Sequence, residues 1–135
     1  MIRYLFDTDT ASYFLKGRHP ALQKRARAAL QAKAVAISVI TEAELRFGLA
    51  LTPEAARLHA AVEIFLSETP CFDWPRSAAE HYARLTADMK RSGKPIGILD
   101  TQIAAHALAE NLVLITNNTR HFGAIAGLKS ENWIT

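Results

Sequence analysis

The chain has 135 residues, half of them hydrophobic and 21% charged, which is ordinary for a folded globular protein and excludes a disordered one. This length predicts a single domain, residues 1–135, that buries a core without a disulfide or metal staple. The single cysteine, Cys71, excludes a disulfide framework, and no apolar run reaches the ~20 residues of a membrane span. The apolar start, residues 4–6, is too short for a signal peptide, so we expect a cytoplasmic protein with no membrane partner.

The net charge of +3 is unevenly distributed. Residues 10–41 contain no acid and six basic residues, and a second basic cluster occupies residues 84–94. Such patches suggest a polyanionic partner, because Lys and Arg near phosphates gain from counterion release. A solvated helix face explains the same pattern, and on charge alone it is the better interpretation.

Five short apolar runs without polar alternation are typical of strands that are covered on both faces, as in a parallel sheet. In chain order they are residues 2–6, 35–39, 70–73, 112–116 and 133–134.

Helical periodicity fills the intervals between these strands. The clearest stripe lies between Pro75 and Gly93, which are typical start and stop signals, and consists of Ala78, Tyr82, Leu85 and Met89. Alternation of strands with helices implies right-handed crossovers. We therefore predict a three-layer α/β/α domain with a central parallel sheet of four to five short strands.

Three acids fall at the ends of predicted elements. Asp7 follows the first strand, Glu44 follows the second, and Asp100 begins the helix before the fourth. In a parallel sheet the strand C-termini and helix N-termini share one edge, so these side chains can meet in one pocket. Carboxylates gathered there repel one another unless a cation lies between them, and oxygen ligands favour Mg²⁺ or Mn²⁺.

Each acid taken alone has a simpler explanation as a helix cap. Asp7 and Asp100 are both suited to cap the helices that begin beside them. Thr41 and Glu44 have the spacing of a capping box. Only the joint placement of the three acids favours a metal site.

Four segments resemble the PIN-domain ribonucleases, specifically the VapC toxins of bacterial toxin–antitoxin pairs. They are YLFDTDT (4–10), ISVITEAELRFGLA (37–50), GKPIGILDTQIAAHA (93–107) and LITNNTRHF (114–122). Each motif alone is weak, but their order and spacing span nearly the whole chain. The resemblance implies a PIN-like fold.

By position, the resemblance implies that Asp7, Glu44 and Asp100 are the metal-binding catalytic acids. Thr116 and the catalytic-site Asn118 match the polar pair after the fourth strand. Two positions depart from the pattern: Asp9 stands where the family often has Asn, and Asn118 stands where many members have a fourth acid. Since an amide does not neutralise a cation, Asn118 is expected to hold water or orient Asp7, and a second metal site is doubtful.

The resemblance further implies a Mg²⁺-dependent endoribonuclease, with Mn²⁺ as an alternative ion. Asp7 and Asp100 are then the expected direct ligands, and Glu44 a water-mediated ligand or general base. The implied partners are a cognate VapB-like antitoxin, a second copy of the chain in a homodimer, and an RNA substrate such as tRNA. RNA contacts are expected from four basic residues, namely Lys24, Arg25, Arg27 and Arg46, although a surface salt bridge explains Arg46 equally well.

Two other functions stay open. The opening YLFDTDT also suits a haloacid-dehalogenase-type phosphatase, with Asp7 as nucleophile and Asp9 as general acid, although its later motifs are missing. A non-catalytic nucleic-acid-binding module would use the basic helix alone and leave the three acids unexplained. His106, Trp74 and Trp133 are interpreted as packing residues.

Overall fold

The computed structural model describes residues 1–135 and contains one five-stranded sheet. All its strands are parallel, in the order β3-β2-β1-β4-β5. They are β1 (Tyr4–Phe6), β2 (Val35–Ser38), β3 (Cys71–Phe72), β4 (Val113–Ile115) and β5 (Ser130–Glu131). The prediction of a central parallel sheet of short strands is confirmed.

Seven helices cover the two faces of the sheet. They are α1 (Thr8–Lys16), α2 (Pro20–Gln31), α3 (Val39–Leu51), α4 (Ala56–Glu68), α5 (Arg76–Ser92), α6 (Ile98–Glu110) and α7 (Thr119–Phe122). None of them is both long enough and apolar enough to cross a bilayer.

Successive residues of each strand enter different hydrophobic cores, which is why the strands read as unbroken apolar runs. Phe6, Ile37 and Ile115 face the core built with α1, α2, α3 and α4. Leu5, Ala36 and Leu114 face the core built with α6 and α7. The three-layer α/β/α architecture is therefore confirmed.

The first acid, Asp7, follows the central strand β1. At this strand the order of the sheet reverses, because β2 lies on one side of β1 and β4 on the other. Phe6 of β1 pairs with Ile37 on one side and with Ile115 on the other. Because β2 and β4 extend the sheet in opposite directions from β1, a crevice opens at the C-terminal edge between them. Asp7 leaves β1 into that crevice, and its N–H donates to the carbonyl of Ile115 at 3.1 Å.

The prediction of a last strand at residues 133–134 is wrong, since β5 lies three residues earlier. Trp133 is buried instead and packs edge-on against Tyr4 and Phe6, with ring centroids 4.9 and 5.7 Å away. Its indole N–H donates to the carboxylate of Glu131 at 2.9 Å. An indole buried in the core contributes more stability than one on an edge strand. Trp133 therefore packs inside, and the polar residues Ser130 and Glu131 form the edge strand.

Candidate active site

Asp7 is both a helix cap and a buried acid. It is the N-cap of α1, and its carboxylate accepts the N–H of Thr10 at 2.8 Å. The side chain is only 3% exposed, and the hydroxyl of Thr10 donates in turn to the carbonyl of Ile115 at 2.9 Å. Burial raises the pKa of Asp7, while hydrogen bonds from Thr116 and Thr10 oppose that rise. The capping prediction is confirmed, but a cap alone does not require so buried a charge.

Glu44 does not take part in a capping box, so that interpretation is wrong. Helix α3 begins at Val39, and the hydroxyl of Ser38 caps it by accepting the N–H of Ile40 at 3.1 Å. Glu44 therefore lies in the second turn, where the hydroxyl of Thr8 donates to its carboxylate. The same hydroxyl lies 3.1 Å from that of Thr41. Since a different residue caps α3, Glu44 is free of that structural role.

Asp100 lies in the first turn of α6, whose N-cap is Gly97 at a φ of 92°. The carboxylate makes no capping hydrogen bond, so a capping role is wrong for this acid, but its place in the first turn does complement the helix dipole. Partial burial, together with the negative charges of Asp7, Asp9 and Glu44, raises the pKa of Asp100 to about 6. The carboxylate of Asp100 thus lies within electrostatic reach of Asp7, Asp9 and Glu44.

This arrangement is an open cluster of carboxylates. No group of three or more Asp, Glu, His or Cys side chains is close enough to form the coordination shell of a metal ion. Mg²⁺ normally retains several waters and takes one or two protein carboxylates, so it does not require such a shell. The oxygen-only donor set and the uncompensated repulsion at Asp100 therefore fit a hydrated hard divalent cation.

Thr116 and Asn118 continue the site beyond β4. Thr116 is buried at the end of the strand, and its hydroxyl accepts the N–H of Asn118 at 3.0 Å. The side-chain carbonyl of Asn118 lies 2.7 Å from Nδ1 of His121. The amide is consequently held by His121, a residue that the sequence analysis does not single out.

Thr8 and Thr10 are the other residues that the sequence analysis missed. Both flank Asp9 in the segment T-D-T, and one orients Glu44 while the other anchors Asp7. The available signal was the pair of hydroxyl residues directly after an acid at a strand end. The role of Thr8 could not be predicted from the sequence, because its partner, Glu44, lies on α3.

The predicted RNA-binding residues occupy different environments. Arg25 pairs with Glu131 at 3.3 Å and lies 4.5 Å from the ring centroid of Trp133. Arg46 pairs with Glu42 at 2.8 Å and Glu63 at 3.1 Å, as its salt-bridge interpretation predicted. The other two, Lys24 and Arg27, are exposed and form no ion pair.

The three residues interpreted as packing residues are confirmed as such. His106 is fully buried, and neither of its ring nitrogens has a hydrogen-bond partner. Trp74 donates its indole N–H to the carbonyl of Gln102 at 2.9 Å and packs edge-on against Tyr82. Trp133 lies in the core, as described above.

A parallel sheet with acids gathered at its C-terminal edge defines the class of protein. The family model of the PIN domain matches residues 4–128. Among curated proteins, ribonuclease VapC2 of Haemophilus influenzae is 36% identical over 134 residues, covering 99% of this chain and 100% of the relative. The tRNA(fMet)-specific endonuclease VapC of Shigella flexneri is 32% identical, with 98% and 99% covered.

Solved structures show the same likeness. VapBC2 from Rickettsia felis, bound to a DNA fragment from its promoter, matches with a TM-score of 0.88 and 31% identity, covering 98% of this chain and 99% of that one. DNA-bound VapBC from Salmonella typhimurium matches with a TM-score of 0.88 and 33% identity, at the same coverage. The chain belongs to the VapC ribonucleases of the PIN-domain family.

Family membership confirms the resemblance and makes the protein a nuclease, a toxin of the VapC group. PIN-domain ribonucleases are generally metal-dependent, in agreement with the oxygen donors gathered here. The phosphatase that would use Asp7 and Asp9 is not favoured, and neither is the non-catalytic nucleic-acid-binding module.

Proposed function

We propose that this chain is a Mg²⁺-dependent endoribonuclease and the toxin of a toxin–antitoxin pair, with Mn²⁺ able to substitute. The observation that carries the proposal is the placement of Asp7 after β1 and of Asp100 in the first turn of α6, with Glu44 held by Thr8 from the start of α1. Asp7 and Asp100 would hold the ion directly, and Glu44 would hold it through water or act as general base. The ion supplies charge neutralisation at the phosphodiester and lowers the pKa of the attacking water.

Neighbouring residues hold these carboxylates in position before the substrate binds. Thr10 fixes the carboxylate of Asp7, and Thr8 holds that of Glu44, so neither side chain needs to reorganise when substrate binds. Thr116 and Asn118 orient the pocket from the side of β4. In-line attack by water leaves a 5′-phosphate and a 3′-hydroxyl and does not use the substrate 2′-hydroxyl as nucleophile.

The proposed substrate class is tRNA, by analogy with the Shigella flexneri relative, whose name specifies tRNA(fMet). Of the basic residues on α2, Lys24 and Arg27 are the better candidates for phosphate contacts, because they are exposed and unpaired. Arg25 and Arg46 would each have to exchange an acidic partner for a phosphate. Such contacts contribute affinity without sequence selection.

The proposed protein partners are a cognate VapB-like antitoxin and a second copy of this chain. The solved relatives from Rickettsia felis and Salmonella typhimurium are VapBC structures. A groove of about 510 Å³ between α1, α2 and α4 supports a protein partner, because apolar side chains line it, including the exposed Ile64. Gln23 and Thr69 also line it, and each has a buried oxygen without a hydrogen-bond partner.

Incubation of the purified chain with total tRNA tests the proposed activity. We expect cleavage in Mg²⁺, none in EDTA, and recovery when Mg²⁺ or Mn²⁺ is restored, because the clustered carboxylates need a cation to approach a phosphodiester. Mapping the ends should show 5′-phosphates. Cleavage that persists in EDTA, or ends with 2′,3′-cyclic phosphates, would contradict the mechanism.

Glu44→Gln separates a catalytic role from a structural one. We expect cleavage to fall by at least about 100-fold, as for loss of a general base or a hydrated ligand, with little change in Tm. The matched control is Ser38→Ala, which removes the observed cap of α3 and should cost about 1 kcal/mol of stability while keeping measurable cleavage. A Glu44→Gln variant with full activity and a strongly lowered Tm would return Glu44 to a structural role.

A further inference from the structure

A second cavity lies beside the long helix α5. It has a volume of about 690 Å³ and lies between the C-terminal half of α5, the segment before α6, and the region of α7. Its walls include the apolar side chains Leu85, Ile96 and Ile125. None of Asp7, Glu44 and Asp100 lines it, but its lining residue His121 lies 2.7 Å from the side chain of Asn118, which belongs to the proposed site.

Hydrogen bonds connect this cavity to Asn118 and Thr116 of the proposed site. His121, which lines the cavity, contacts the side-chain carbonyl of Asn118 at 2.7 Å. The N–H of Asn118 donates to the hydroxyl of Thr116 at 3.0 Å, and Thr116 and Asp7 directly follow the paired residues Ile115 and Phe6 of neighbouring strands. A ligand seated against His121 is therefore linked through Asn118 and Thr116 to the edge of the sheet that carries Asp7.

The charge of the cavity is opposite to that of the acidic site. Lys94 and Arg120 line it, and neither forms an ion pair. The one acid in its wall, Asp88, is paired with Arg91 at 3.4 Å. Cations beside an apolar wall match the two parts of a nucleotide, an anionic phosphate and a flat base.

The ring of His121 has a defined orientation in this arrangement. The carbonyl of Asn118 can only accept, so Nδ1 of His121 carries the shared hydrogen. In the neutral ring Nε2 is then an acceptor, and no protein group occupies it. That atom can receive a hydrogen from a ribose hydroxyl or from the amino group of a base.

We propose that this cavity binds a nucleotide of the RNA substrate next to the scissile phosphate. The base lies against Leu85, Ile96 and Ile125, and its phosphate pairs with Lys94 and Arg120. His121 is a positioning residue that couples the bound nucleotide to Asn118 and the acids. This inference rests on the proposed ribonuclease function and adds to it the place where one substrate nucleotide is held.

Binding of total tRNA to the cleavage-deficient Asp7→Asn protein measures the phosphate contacts. Adding Lys94→Ala and Arg120→Ala should weaken binding by about 10-fold and reduce the slope of log Kd against log salt by about 1.4, since each contact to a single strand contributes about 0.7. The matched control, Arg57→Ala with Arg76→Ala, removes the same charge from exposed positions outside the cavity and should change both quantities much less.

Steady-state cleavage of tRNA by the otherwise unaltered chain measures the role of His121. His121→Ala should lower kcat by about 10-fold, because Asn118 loses its partner, and His121→Gln should recover part of it through an amide N–H. Arg120→Ala should instead raise KM with kcat nearly unchanged.

Failure of the inference is distinguishable from failure of the proposed function. If the unaltered chain does not cleave tRNA in Mg²⁺ or Mn²⁺, the proposed function is wrong. If it cleaves, but the Lys94 and Arg120 variants bind tRNA as tightly as the control pair does, the nucleotide cavity is wrong. A changed oligomeric state with unchanged tRNA affinity would overturn it too, by making this surface a contact between copies of the chain.

Discussion

Replacing Asp7 with asparagine is expected to abolish RNA cleavage, by at least about 10³-fold, while the protein remains folded. The loss follows from removing one carboxylate of the proposed ion site, whose electrostatic contribution is several kcal/mol. Stability is retained because asparagine caps a helix as well as aspartate does, so the bond to the N–H of Thr10 can persist. Tm should not fall, since the substitution also removes a buried charge whose pKa is raised.

Two further variants complete that experiment, with cleavage rates and melting curves recorded for each. Asp7→Ala should lose both cleavage and about 1 kcal/mol of capping energy. Asp9→Asn, two residues away and exposed, should reduce cleavage only mildly, whereas a phosphatase that used it as general acid would lose its activity. Full cleavage by purified Asp7→Asn would refute the proposed role of Asp7.

Asp100→Asn should stabilise the metal-free protein at neutral pH and not at acid pH. The ordinary pKa of 3.8 applies when the chain is unfolded, and the folded protein raises it to about 6. The folded state therefore binds this proton more tightly, so its stability falls as pH rises from about 4 to about 6 and stays lower above that. Asparagine carries no charge, so the Asp100→Asn protein does not lose this stability as the pH rises.

The expected size of that effect is modest but measurable. A shift of this size corresponds to about 3 kcal/mol, which solvent screening of a half-buried group reduces to about 1 kcal/mol. Without metal we expect Tm of Asp100→Asn to exceed that of the parent by about 3–5 °C at pH 7.5 and to equal it at pH 4. Added Mg²⁺ should raise Tm of the parent at pH 7.5 more than that of the variant.

Thermal melts across that pH range, with and without Mg²⁺, provide the check. Asp88→Asn is the control, because this acid is exposed on α5 and paired with Arg91. A Tm difference between parent and Asp100→Asn that does not change with pH would contradict the electrostatic account.

Local patterns in the sequence were sufficient for most of the architecture. Apolar runs without alternation predicted β1, β2 and β4 to within two residues, because strands covered on both faces need apolar side chains at every position. The apolar run at residues 133–134 led to a wrong strand prediction, because a buried tryptophan and a short buried strand have the same local composition. Which of them forms depends on whether Tyr4 and Phe6, from the opposite end of the chain, leave room for the indole.

By itself the sequence determined the layered parallel fold and the positions of three acids at the ends of its elements. Only the tertiary structure decided what each acid contacts. The partner of Glu44 is Thr8, 36 residues away, and that of Arg25 is Glu131, 106 residues away. Periodicity and capping motifs describe neighbours within about one helical turn, whereas such contacts depend on how the strands are ordered in the sheet. The network from Asp7 to His121 became visible only once β1 and β4 lay side by side.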